Sequence, residues 1–232
     1  MTESPFTIPP FAQACIDAAG NAWNASYQHP FILALAEGTL DSDIFKFYQM
    51  QDARYLEGFS DAAAIVSTRC VAPVDKLWFL DMARLGLVTE AELHAGYGKK
   101  LGYDAGDIAA LELTPDNRAY QNHMISTAMR GTLAEGVAAL VPCPWLYINL
   151  GQHILAELGG TIEDSHPYAD WLRMYADPSF NAFMESLLER MQRFADETDR
   201  AGRARAKEAF VLSARYEYMF WDQAWTNQRW RT

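Results

Sequence analysis

Apolar residues recur at helical spacing along almost the whole chain, and no stretch keeps the alternation of a strand. The first run covers residues 11–27 and is expected to stop before His29-Pro30, because the residue ahead of a proline is pushed out of the helical region. Gly38 closes a short following segment. Asp41, Ser42 and Asp43 then offer N-caps for a long helix reaching about Cys70. In that helix Ile44, Phe45, Phe47, Tyr48, Met50, Tyr55, Leu56 and Phe59 exceed a single stripe, so it is expected to be buried on much of its circumference. Further helices are expected over roughly 74–84 and 88–101, and from Pro115 with Thr114 as its cap. Others follow over about 133–158, over 167–198 with a break near Asp177-Pro178, and over roughly 201–230. The pattern predicts an all-α chain, residues 1–232 forming one domain.

One segment departs from ordinary helix chemistry. Thr132 and Glu135 have capping-box spacing and should start a helix, but Pro142 and Pro144 interrupt it on either side of Cys143. An interior proline costs roughly 3 kcal/mol and removes a backbone donor. A kink is therefore expected, with carbonyls near Ala138 and Leu140 short of their usual partners. Tyr147 lies one turn after Cys143 and would share its face. The segment reads either as a buried cysteine in a bent helix or as a thiol held for chemistry.

Composition narrows the classes. A chain of 232 residues, half of them hydrophobic, can bury a substantial core. No apolar run looks both long and uncharged enough to span a bilayer. The first ten residues lack the basic start and apolar core of a signal peptide. The net charge of −11 opposes nucleic-acid binding, and no helix carries the basic face that DNA contact needs. The same charge disfavours anionic membranes. Cys15, Cys70 and Cys143 are odd in number and widely spaced, which supports neither a disulfide framework nor a structural zinc site. A reducing cytoplasm fits best, with core packing as the default for Cys15 and Cys70.

Three polar positions stand in apolar surroundings. Asp52 lies in the long helix with Tyr48 one turn before it and Tyr55 three residues after. It needs a partner if buried, either Arg54 or another base, or a ligand. Glu217 is flanked by Tyr216, Tyr218, Phe220 and Trp221, where desolvation would raise its pKa and make it a proton donor; the competing reading pairs it with Arg215 or Arg54. Glu90 and His94 are spaced as a metal pair on one face, but neither His123 nor His153 has an acidic residue four positions before it, so a dinuclear site lacks its second half. His94 reads more naturally as a hydrogen-bonded core histidine, and His29, His153 and His166 as structural or exposed.

Taken in order, these stretches resemble the TenA family (thiaminase II, aminopyrimidine aminohydrolase) of the heme-oxygenase-like all-α superfamily. The match runs through His29-Pro30-Phe31, Gly38-Thr39-Leu40, Gln51-Asp52 with Tyr55, Glu90 with His94, and Tyr120 with His123-Met124. It continues through Pro142-Cys143 with Trp145-Leu146-Tyr147, the Tyr175 segment, and Tyr216-Glu217-Tyr218 with Phe220-Trp221.

The resemblance implies a helical bundle, a homotetramer with a deep pocket in each subunit, and hydrolysis of aminopyrimidines in thiamin salvage. The substrate is thiamin or 4-amino-5-aminomethyl-2-methylpyrimidine, and the product is 4-amino-5-hydroxymethyl-2-methylpyrimidine. Cys143 matches the nucleophile, Asp52 the carboxylate that holds the pyrimidine, and Glu217 the acid near the leaving group. Tyr55, Tyr120, Tyr147 and Tyr175 match pocket tyrosines, and Tyr48 and Phe220 join them as candidate substrate contacts. Cys143 places the chain in the cysteine-bearing branch. No metal or organic cofactor is expected. Pro144, where an aromatic often stands, and Arg54, beside Asp52 in sequence, are expected to reshape the pocket. A pyrimidine-binding regulator and a metal-dependent oxidase on the same fold are the rival readings.

Overall fold

A computed structural model describes residues 6–88 and 91–231. Thirteen α-helices and one 3-10 turn account for all of its regular structure, and the described residues contain no strand. The bundle is laid around α4 (Ser42–Arg69), which Asp41 caps by accepting from the N–H groups of Asp43 and Ile44 at 2.7 and 3.4 Å. As its pattern predicts, α4 is buried on several sides. It packs against α5 (Pro73–Val88), α6 (Ala91–Leu101), α7 (Ala105–Ala110), α8 (Pro115–Arg130) and α9 (Leu133–Leu140). The last helix, α13 (Arg200–Trp225), closes the other side against α8, α9 and α10 (Pro142–Glu157).

Before α4 come α1 (Pro10–Ala19), α2 (Asn21–Asn24), the 3-10 turn Ala25–Gln28 and α3 (Pro30–Ala36); α11 (Ala169–Ala176) and α12 (Phe180–Asp196) lie between α10 and α13. The single helix expected over 11–27 is thus three pieces. Gly20 turns the chain at φ 48°, a backbone state that an L side chain resists. Helix α5 runs on to Val88, the position where the pattern began its next helix. The short α7 went unpredicted although Asp104 and Asp107 form a capping box at its start. At the C-terminal end α13 stops at Trp225, short of 230.

Thr132 and Glu135 form the expected capping box. Beyond it the chain breaks into α9 and α10 at Val141, which itself keeps helical dihedrals of φ −59° and ψ −41°. Pro142 opens the new helix, where a missing N–H is no loss. The side-chain donor that arrives at the break is Ser213 Oγ, and it serves the Ala139 carbonyl at 2.8 Å, not Ala138 or Leu140. Leu133–Glu157 also corrects the expectation about apolar runs. Taken through the break it is 25 residues long and apolar enough for a bilayer by length and composition; 78% of its most apolar window is buried inside the bundle, so burial in the core accounts for that composition.

Polar side chains lock the central helices together. The Asn117 amide on α8 donates at 2.8 Å both to the backbone carbonyl and to the side-chain Oε1 of Gln51 on α4. Thr114 Oγ1 donates to Gln223 Oε1 on α13. These bonds are wholly buried, where leaving a partner unmade is expensive, so they fix the register in which α4, α8 and α13 present their side chains. Cys15 and Cys70 are buried in the core, as expected, and burial pushes the Cys15 thiol up to about 12. His29 is buried too and caps α3 by accepting from the Phe31 N–H at 3.1 Å.

Candidate active site

Helices α4, α5, α10, α11 and α12 enclose a cavity of about 300 Å³. Its polar wall carries Asp52 from α4, Cys143 and Tyr147 from the start of α10, and Tyr175 from α11. Pro144 lines it as well. Apart from Ser179 the remaining wall is apolar, built chiefly from Leu56 and Phe59 of α4, Met82 and Leu85 of α5, and Phe180 and Phe183 of α12. A flat, partly polar ligand suits such a site, with rings to stack on and a few polar groups to orient it.

The break at Val141 explains how Cys143 reaches this wall. A helix restarted at Pro142 puts Cys143 and Tyr147 one turn apart on the same face, and both meet the cavity. Cys143 is half-buried. Tyr175 is brought in by a close helix crossing. A Cβ on Gly151 of α10 would stand 2.4 Å from the Tyr175 carbonyl carbon and 2.7 Å from the Ala176 nitrogen, so only glycine lets α11 approach this far. Gly151→Ala therefore has to push α11 away. It is expected to lower stability by about 1–3 kcal/mol, the usual range for overpacking, and to raise the KM of any ligand that meets Tyr175; thermal unfolding and steady-state kinetics on one preparation measure both.

Behind the cavity lies a chain of phenols ending on Glu217. Tyr120 donates to Glu217 Oε1 at 2.5 Å, and both groups are buried. The Tyr55 hydroxyl lies within hydrogen-bond reach of the Cys143 thiol and the Tyr120 hydroxyl, and 3.5 Å from Met124 Sδ. Burial pushes the Tyr55 and Tyr120 phenols well above their ordinary range, and the neighbouring acidic groups add to it. Glu217 is pushed up to about 8, first by burial and then by Asp52, against the opposing pull of Tyr120. It is protonated near neutrality. Its partner is Tyr120, not Arg215 or Arg54.

Asp52 also has a partner other than the one its sequence neighbours suggest. His94 Nε2 stands 3.2 Å from Asp52 Oδ2, with side chains 7% and 4% exposed. Arg54 points away from the site. Its guanidinium donates to the carbonyls of Ile108, Ala109 and Leu111 at 3.4, 3.3 and 2.8 Å and pairs with Glu57. Of the two positions expected to reshape the pocket, Pro144 alone lines it.

Tyr48 and Phe220 stand behind the cavity wall. The Tyr48 hydroxyl lies 3.1 Å from that of Tyr147 and accepts from Trp171 Nε1 at 3.3 Å, while the Phe220 ring packs between those of Tyr48 and Tyr55. They set the positions of Tyr147 and Tyr55. Glu90 lies outside the described residues; among those described, no three His, Cys, Asp or Glu side chains are grouped to hold a metal. His153 is a half-buried partner of Glu157 at 3.2 Å, and His166 accepts from the Tyr168 N–H. The apolar wall from α5 and α12 was not foreseen, because aromatic and aliphatic residues at helical spacing read the same in a core and in a pocket.

An all-α bundle of this shape is a heme-oxygenase-like fold: the domain of that fold from Shewanella denitrificans OS217 superposes with a TM-score of 0.68 at 14% identity, covering 95% of this chain and 94% of the other. The chain belongs to the TENA/THI-4/PQQC family, whose model matches residues 16–227. It is 30% identical to the aminopyrimidine aminohydrolase of Bacillus subtilis, covering 95% of this chain and 92% of that protein. The aminopyrimidine aminohydrolase of Halalkalibacterium halodurans is 28% identical, with coverage of 95% and 97%. The TenA homologue from P. horikoshii OT3 superposes with a TM-score of 0.81 at 27% identity, covering 95% and 99%.

Proposed function

We propose that the chain is an aminopyrimidine aminohydrolase of thiamin salvage, acting through a covalent adduct on Cys143. The observation that carries this reading is the joint placement of Asp52 and Cys143 on one cavity wall, with a protonated Glu217 linked to the thiol through Tyr120 and Tyr55. Near full-length similarity to two aminopyrimidine aminohydrolases supports the substrate class.

Asp52 holds the aminopyrimidine through its amino group and a ring nitrogen. The Cys143 thiolate, its charge met by the Tyr55 hydroxyl, adds to the ring carbon. The electrons it supplies expel the amine from the adjacent methylene carbon, and Glu217 gives that amine its proton. Water then adds at the methylene carbon and returns a proton to Glu217. The C–S bond breaks, and hydroxymethylpyrimidine leaves with the thiolate restored. Tyr147 and Tyr175 stack against the flat ring.

We propose as well that the chain belongs to the cysteine-bearing branch, works in a reducing cytoplasm where its three thiols stay free, and assembles as a homotetramer. The exposed apolar face of α5, with Val74, Leu77, Leu80 and Val88 each about half or more exposed, favours assembly.

Purified protein supplied in parallel with 4-amino-5-aminomethyl-2-methylpyrimidine and with thiamin is expected to release the hydroxymethylpyrimidine. A folded protein that turns over neither compound overturns the reading.

A further inference from the structure

A second hollow, about 410 Å³, adjoins the cavity described above, with Leu56 of α4 lining both. His94 lines it, Asp52 lines the first, and the 3.2 Å contact between them spans the partition. The imidazole itself is buried. Its neighbours around the hollow include Ala53, Ala91, Ala95 and Ala105, small side chains that leave space beside the ring. What the ring does make is a buried contact, 3.2 Å from Nε2 to Asp52 Oδ2, in which an ionised carboxylate can only accept and Nε2 is the group placed to donate. The turn that bears it is also held. Tyr103 folds back so closely that a Cβ on Gly98 would meet its carbonyl oxygen at 2.7 Å, and its hydroxyl donates to the His94 carbonyl at 3.2 Å.

We propose that His94 is a positioning residue: its Nε2–H holds Asp52 Oδ2 from behind and so fixes the carboxylate that meets the pyrimidine. This rests on the aminopyrimidine reading of the site. A buried carboxylate without that donor loses the contact that fixes its orientation, and a small misplacement of a substrate-holding group is costly.

The two amides separate this role from bulk. In His94→Gln the side-chain nitrogen reaches the place of Nε2, whereas in His94→Asn it falls a bond short. Wild-type turnover of the aminomethylpyrimidine is measured first; its absence from folded protein defeats the underlying reading, and this inference with it. Given that turnover, His94→Asn is expected to lower kcat/KM by about 10–100-fold, while His94→Gln restores it to within about threefold of wild type. The Asp52→Asn/His94→Asn double variant is expected to be no slower than Asp52→Asn alone, because both changes act on one contact. Alkylation of Cys143 by iodoacetamide should proceed at the wild-type rate in both His94 variants. An active wild type with an unimpaired His94→Asn overturns the inference alone. Equal losses in Asn and Gln, or losses that multiply in the double variant, also overturn it.

Discussion

Cys143→Ser is expected to lower kcat by about three orders of magnitude or more, the scale seen when a covalent nucleophile is removed, while the protein stays folded. The exchange is nearly isosteric at a half-buried position beside a cavity, so little packing is lost. What changes is the nucleophile. A serine hydroxyl stays protonated at neutral pH, and Tyr55 is pushed well above its ordinary range by burial and by the acidic groups around it, so it does not serve as a base. Tyr55 can stabilise a thiolate by donating to it, but it cannot generate an alkoxide. Intact-mass measurement during turnover should find a pyrimidine adduct on the wild type and none on the variant. Equal rates in the two proteins would remove Cys143 from the nucleophile's role. Surviving turnover with no adduct would point to direct attack by water, with Asp52 and Glu217 as the working pair.

The fold was readable because its signals are local. Capping residues at Asp41, Thr114 and Thr132, prolines at helix starts and the 3.6-residue period placed most helices within a few residues. Gly20 escaped because a positive φ in one residue does not interrupt the apolar period on either side. In the site, Cys143 and Tyr147 were legible as a pair because one helix turn joins them, and Glu217 because its aromatic neighbours announced desolvation. The partners of the carboxylates were not legible. His94 lies 42 residues from Asp52 and Tyr120 lies 97 from Glu217, distances over which only packing decides who meets whom. Sequence adjacency suggested Arg54 for Asp52 and Arg215 for Glu217, and α7, which Arg54 serves, had not been expected at all.

Glu217→Gln tests the other half of the chemistry, and two measurements on this variant should move in opposite directions. Turnover should fall by about 10²–10⁴-fold, the usual contribution of a positioned general acid, because an amide can accept the Tyr120 hydrogen bond but cannot give the leaving amine a proton. In the wild type the working form is the protonated acid, so kcat/KM should decline on the alkaline side as pH rises through about 8, and that limb should be missing from whatever activity the variant retains. Stability should respond the other way. The Glu217 carboxyl has an ordinary value of 4.5 and is raised to about 8 in the fold, so its favourable contribution is complete below about 4.5 and is lost as pH climbs to about 8. Above that pH the wild type holds a desolvated charge in its core, which glutamine does not. Thermal unfolding at pH 8.5 should therefore find Glu217→Gln more stable than wild type, with the gap closing towards pH 5. A variant that loses activity and stability together at alkaline pH would mean that Glu217 is ionised in the resting protein and acts as a base, which would require a different donor for the departing amine.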